Sequence, residues 1–225
     1  MKHDIYFDEK EHLYLVDGKE VPSVTEILKP LSQRGYAKVN ESVLGYAAAR
    51  GKAVHEALEL IDLGADAEVS PEMVPYIRAY EEFKSIYKPQ WELVEAIVYN
   101  EGYNYIGTLD RLGVLNDGLL SVVDLKTSNA TKEALVSVCL QTRMYELAYL
   151  WEHKETFERI LPRGTLKRYG LFLKPDGSFR LVDCEEYEKK YNIDPNRVIG
   201  ELWSVRQTID RLLATKEKQA KGEQK

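Results

Sequence analysis

Along this chain, stretches in which apolar residues recur every three or four positions alternate with short apolar runs bounded by turn residues. The helical stretches are residues 43–61, with Val54, Leu58 and Ile61 as a stripe; 71–87, stopping before Pro89; and 131–153, where Leu135, Val138, Met144 and Leu147 head a broad apolar face. A fourth is opened by Asp194-Pro195 and runs through about Thr215 on Val198, Leu202, Val205, Ile209 and Leu212. The strand-like runs come in pairs around turn signals: 12–16 and 19–21 around Asp17-Gly18, 105–115 and 119–126 around Asn116-Asp117-Gly118, and 166–174 and 179–184 around Pro175-Asp176-Gly177-Ser178. Ser23-x-x-Glu26 reads as a capping box that opens a short helix, which Pro30 should end, leaving residues 31–42 as a polar loop. Residues 216–225 read as a fraying charged tail.

The chemistry concentrates at the ends of the central pair, where Gly107-Thr108-Leu109-Asp110 is followed by Val123-Asp124-Leu125-Lys126-Thr127. The register depends on the loop. A two-residue loop, Asp117-Gly118, sets Asp110 opposite Leu125 and puts the two aspartates on opposite faces. A three-residue loop with Gly118 in the left-handed conformation sets Leu115 opposite Leu119 and Asp110 directly across from Asp124; this is the register we expect. Opposed residues have Cβ atoms roughly 5 Å apart, so the carboxylates would repel unless they shared a divalent ion. Lys126 lies two residues beyond Asp124, on the same face, where its ammonium would steady a hydroxide or the charge that builds on a phosphate. Two acids and a lysine at strand ends point to metal-assisted phosphodiester cleavage.

Two helical segments add to this. In 43–61, His55 and Gly51 stand four apart on one face; a neutral imidazole is a suitable metal ligand, and a glycine inside a helix suggests close approach by something bulky, such as a nucleic-acid backbone. In 131–153, Gln141 and Tyr145 form an i, i+4 pair able to orient Lys126 or hold a phosphate.

Taken in order, Gly51-x-x-x-His55, Gly107-x-x-Asp110, Asp124-Leu125-Lys126-Thr127 and Gln141-x-x-x-Tyr145 resemble the RecB-type branch of the PD-(D/E)XK nuclease superfamily. The stretch from His12 to Leu28 is similar to phage-type exonucleases of that superfamily, and the resemblance covers roughly residues 12–151. It implies an α/β fold with a restriction-endonuclease-like core, a central mixed β-sheet flanked by helices, in one domain over residues 1–225. A hairpin elaboration at about 5–30 and a C-terminal helix at about 195–215 complete it. It further implies Mg²⁺, replaceable by Mn²⁺, held by His55, Asp110, Asp124 and the main-chain carbonyl of Leu125, with Lys126 catalytic and Gln141 and Tyr145 positioning the lysine and DNA. A family glutamate on the strand before Asp110 falls on Glu95, within Trp91–Tyr99. Leu109 stands where the superfamily's eponymous proline would be. Some relatives carry an iron-sulfur cluster on four cysteines; Cys139 and Cys184 are the only two here, so none is expected. The activity implied is Mg²⁺-dependent DNA hydrolysis, most readily by an exonuclease of recombination, repair or phage DNA processing, with DNA, a second copy or a recombination protein as partner. The other reading is a non-catalytic nucleic-acid-binding module on the same scaffold.

Composition modifies this picture in two places. With 31 basic and 37 acidic residues the net charge is −6, so contact with a polyanion must rely on local charge. Arg50, Lys52, Arg111, Lys126, Lys132 and Arg143 fall within or beside the motifs and would form a basic rim. The 15 tyrosines would include base-stacking platforms. No apolar run approaches about 20 residues and Met1–Tyr6 shows no signal-peptide core, so a cytoplasmic protein of a bacterial or phage-infected cell, away from membranes, is expected.

Overall fold

The Asn116-Asp117-Gly118 signal closes a hairpin between strands β5 (Tyr105–Val114) and β6 (Leu120–Lys126), with Gly118 at φ +77°. The register runs Val114↔Leu120, Leu112↔Val122 and Arg111↔Val123, which is that of the three-residue loop. In this computed structural model, residues 3–8, 11, 13–36, 40–153 and 166–222 are described. His12, residues 37–39 of the expected loop and 223–225 of the expected tail lie outside them.

The hairpin sits inside a five-stranded mixed sheet of order β4-β5-β6-β7-β8, with β4 spanning Gln90–Asn100, β7 Lys167–Leu173 and β8 Phe179–Asp183. Only β6 and β7 run parallel. Their crossover contains the long helix α4 (Lys132–Glu152), capped by the Thr131 hydroxyl, which accepts from the Ala134 N–H.

Alternation along β6 decides what each face carries. Val122 joins Leu109, Leu112, Leu140 and Met144 under α4, beside helices α1 (Val24–Tyr36) and α6 (Pro195–Gly222). Val123 and Leu125 turn the other way, onto Val54, Leu58, Tyr80 and Phe83 of helices α2 (Glu41–Asp62) and α3 (Val74–Tyr87). A small antiparallel sheet, β1 (Ile5–Asp8), β2 (Leu13–Val16) and β3 (Lys19–Val21), packs Tyr14, Val16 and Val21 on Tyr99 and Ile106.

Three boundaries differ from expectation. The capping box forms, with the Ser23 N–H donating to Glu26 and the Glu26 N–H to the Ser23 hydroxyl, but the helix runs through Pro30 to Tyr36. Leu31 still packs on the core there, and that burial outweighs the hydrogen bond that proline removes. Cys184 does not end a strand; it starts the short helix α5 (Cys184–Tyr191), capped by the Asp183 carboxylate. Residues 216–222 are helical, in keeping with their content of good helix formers.

At Gly113, opposite Trp91, β4 lies tight against β5. A Cβ there would overlap the Gln90 carbonyl oxygen and stand 2.8 Å from the Trp91 Cα. Gly113→Ala is expected to cost about 1–3 kcal/mol, lowering the midpoint of a thermal melt by about 2–4 °C for each kcal/mol in a chain of this size. An unchanged midpoint would show that the strand pair yields freely.

Candidate metal centre and cleft

Three neighbouring strands each bring one acid to the same row. The pairs Val94↔Arg111 and Ala96↔Leu109 bracket Glu95 against Asp110, while the β5–β6 pairing ends at Arg111↔Val123, one residue short of the expected Asp110–Asp124 pair. The ladder gives way at that step because Asp110 Oδ2 accepts from the Leu125 N–H at 2.6 Å. Glu95 holds its place in the row with φ +46°, a left-handed conformation that costs a residue with a side chain about 1–3 kcal/mol.

Above the row lies α2, anchored by buried Val54, Ala57 and Leu58, which presents His55 between them. His55 Nδ1 is 3.5 Å from Glu95 Oε1 and 3.9 Å from Asp110 Oδ1, while Nε2 is 3.2 Å from the Leu125 carbonyl oxygen. One ligand atom from each of His55, Glu95 and Asp110 lies within 4.8 Å of the other two, so this trio could hold a metal ion. Two carboxylates and an imidazole are oxygen and nitrogen donors of the kind hard divalent cations accept. Burial alone would lower the His55 pKa; the carboxylates of Asp110 and Glu95 outweigh it and the net shift is upward.

Asp124 is not in the trio. It is fully buried on the α4 side of β6, with Oδ2 2.5 Å from Lys126 Nζ and Oδ1 lacking a hydrogen-bond partner among the described residues. Burial pushes its carboxyl up to about 6, Lys126 pulls against that, and Asp110 adds to it. Lys126 Nζ also donates to Gln141 Oε1 at 3.2 Å, and Gln141 Nε2 donates to the Tyr145 hydroxyl at 2.9 Å. Burial, with the negative charge of Asp110 and Asp124, raises the Tyr145 pKa well above its ordinary value, so the phenol stays protonated. The helical pair therefore reaches the lysine, as its spacing suggested.

His55, Glu95, Asp110, Lys126, Gln141 and Tyr145 line a cleft of about 940 Å³, and Asp124 is buried behind it. Arg50 and Lys52 line it; Arg50 donates to the Thr127 carbonyl at 3.2 Å and lies over the Tyr76 ring, and Lys52 pairs with Glu56 at 3.6 Å. The rest of the expected rim is elsewhere. Arg111 is fully buried, donating to Asp62 Oδ2 at 2.8 Å and Glu95 Oε1 at 3.0 Å, because its alternation turns it under α2 rather than to solvent. Arg143 is held by Glu146 at 2.6 Å and Asn196 at 2.9 Å, against α6. Lys132 is exposed but lines a separate groove with Arg180 and Lys190. What approaches Gly51 is the Thr127 hydroxyl, 3.3 Å from where a Cβ would stand.

Asp62 has a role that the sequence reading missed. At the last residue of α2 and almost fully buried, it receives Arg111 and the Tyr80 hydroxyl, the latter at 2.5 Å. The available signal was an acid at a helix C-terminus, an electrostatically poor place unless a cation meets it.

The fold and site thus define an α/β protein with a five-stranded mixed sheet flanked by helices, carrying an acidic and histidine cluster able to bind a metal. No model of a known protein family matches the chain, and no curated protein matches its sequence. Among the described residues no helix is long and apolar enough to cross a membrane.

Proposed function

We propose that this protein is a metal-dependent deoxyribonuclease with a restriction-endonuclease-like core, of the RecB-type and phage-exonuclease-like branch of the PD-(D/E)XK superfamily. The observation that carries the reading is the convergence, at the floor of one cleft, of the trio His55, Glu95 and Asp110 with Lys126, Gln141 and Tyr145, the lysine being paired from below the surface with the buried Asp124. A merely structural ion-pair cluster has no need of a lysine presented beside a set of metal donors and steered by an amide and a phenol.

In this reading His55, Asp110 and Glu95 with the Leu125 carbonyl would hold Mg²⁺ or Mn²⁺, and Asp124, whose Oδ1 is a buried acceptor without a partner among the described residues, would be a further donor. Such an ion supplies a water of lowered pKa and neutralises the phosphate. The protein's own groups do the rest. Lys126, paired with Asp124 and aimed by Gln141, stabilises the negative charge that grows on the phosphate as water attacks phosphorus and the bond to the departing sugar oxygen breaks. Tyr145 keeps Gln141 oriented, so that its amide oxygen faces the lysine.

Linear and circular DNA incubated with Mg²⁺, Mn²⁺ or EDTA test this. Cleavage that needs the divalent ion is expected, and release of nucleotides from linear DNA alone identifies an exonuclease. Intact DNA under all conditions sinks the proposal.

A further inference from the structure

The three donors of the trio are not held alike. Leu125 fixes two of them through its main chain, its N–H donating to Asp110 Oδ2 at 2.6 Å and its carbonyl oxygen lying 3.2 Å from His55 Nε2. Glu95 has no such anchor. Its side chain is 20 % exposed and grows from a residue at φ +46°, and among the described residues its carboxylate has only Arg111 and His55 within ion-pair distance. A single oxygen meets both: Oε1 accepts from Arg111 Nη1 at 3.0 Å and stands 3.5 Å from His55 Nδ1.

Arg111 can fix that oxygen because several elements fix Arg111. Nη1 also donates to the Asp110 carbonyl at 2.7 Å, and Nε donates to Asp62 Oδ2 at 2.8 Å. Asp62 is braced in turn by the Tyr80 hydroxyl at 2.5 Å, and that hydroxyl accepts from Trp91 Nε1 at 3.0 Å. The series leaves β4 at Trp91, passes through α3, α2 and β5, and returns to β4 at Glu95. Asp62 lies about two turns beyond His55 on α2, so one guanidinium ties the helix that carries the imidazole to the strand that carries Glu95. We infer that Arg111, fully buried and outside the cleft lining, is a positioning residue of the metal centre: its fork, set by Asp62 and Tyr80, holds Glu95 Oε1 toward His55 and so fixes the spacing of the donors. The inference rests on the metal-dependent reading and adds to it the choice of ion. Mg²⁺ demands near-octahedral donors at about 2.0–2.1 Å, whereas Ca²⁺ accepts looser sets at about 2.3–2.6 Å, so a glutamate held in place favours the smaller ion.

Binding of Mn²⁺ to the whole chain without DNA, read by its electron paramagnetic resonance signal, and its displacement by Mg²⁺ or Ca²⁺ test this. Arg111→Lys keeps a cation but loses the planar fork that spans two carboxylates. It is expected to weaken Mg²⁺ by about 10–100-fold, the range felt when the partner of a metal ligand is lost, and Ca²⁺ several-fold less. Arg168→Lys makes the same change at a buried arginine that pairs with Glu146 and Glu188 on the α4 face of the sheet; it should melt lower yet bind metal as the parent does. Glu95→Gln should itself weaken Mg²⁺, and Arg111→Lys added to it should weaken it no further, since the guanidinium acts through that carboxylate. Tyr80→Phe loosens Asp62 without touching the guanidinium and carries the test should Arg111→Lys fail to fold, with Mg²⁺ expected to bind about 3-fold more weakly. An Arg111→Lys protein with the parental ratio of Mg²⁺ to Ca²⁺ affinity, losses that add in the double variant, or a Tyr80→Phe protein with parental affinity each overturns the inference. A parent that binds Mn²⁺ yet leaves DNA intact overturns the nuclease proposal alone; a parent that binds no Mn²⁺ removes the metal centre and the inference with it.

Discussion

Asp110→Asn is expected to lower Mg²⁺-dependent DNA cleavage by about 10³-fold or more, the scale on which removing a group that holds a metal or stabilises transition-state charge is felt. The substitution isolates charge from shape. An asparagine oxygen can still accept from the Leu125 N–H, which Asp110 now does at 2.6 Å, so the end of the β5–β6 ladder is kept. What is lost is one of two carboxylates in the trio with His55 and Glu95. Lys126→Ala, which leaves the trio intact and removes the ammonium held by Asp124 and Gln141, should fall to a similar level. Initial rates on linear DNA, read beside a thermal melt to establish that both variants are folded, give the answer. A folded Asp110→Asn protein that cuts at the parental rate removes the metal centre from the chemistry.

The largest effect on stability is expected at Arg111→Met. Arg111 is fully buried and neutralises Asp62, 2 % exposed at its side chain, together with Glu95. Among the described residues, truncating the cation leaves Asp62 only Lys84, 3.6 Å away, and the Tyr80 hydroxyl, and leaves Glu95 only His55, a loss of about 3–5 kcal/mol. At about 2–4 °C per kcal/mol in a chain of this length, the melt should fall by roughly 6–20 °C. Adding Asp62→Asn to Arg111→Met should restore part of it, because the double variant no longer buries a carboxylate that has lost its guanidinium. A single variant that melts with the parent, or a double variant worse than the sum of its parts, would show that the ion pair does not bear on stability in this way.

How far the amino-acid sequence discloses this molecule depends on how local the determining physics is. The β5–β6 hairpin was readable because a three-residue loop ending in a left-handed glycine leaves one register, which the strands follow from Val114↔Leu120 to Arg111↔Val123. Gln141 and Tyr145 were readable because residues four apart share a helix face, and α4 lies over β6. Arg111 was misread because nothing local distinguishes a cation that faces solvent from one that meets Asp62, some fifty residues earlier in the chain. The continuation of α1 past Pro30 escaped for the same reason, since the packing of Leu31 is a tertiary fact. Glu95 was reached only by resemblance: neither its left-handed φ nor the bulge between Trp91 and Leu93 leaves a mark in a run of strand-like residues.

That left-handed residue sets two demands against each other. A glycine at position 95 would relax the backbone, but it would also take a carboxylate from the donors around His55 and an anion from Arg111. Tension in the main chain is therefore tolerated where opposite charges converge, and the guanidinium beneath acts as a clasp that keeps the kinked strand from springing back. Endurance itself is divided at this one residue, since the acid that twists the strand is also the counter-ion of a guanidinium shut away from water.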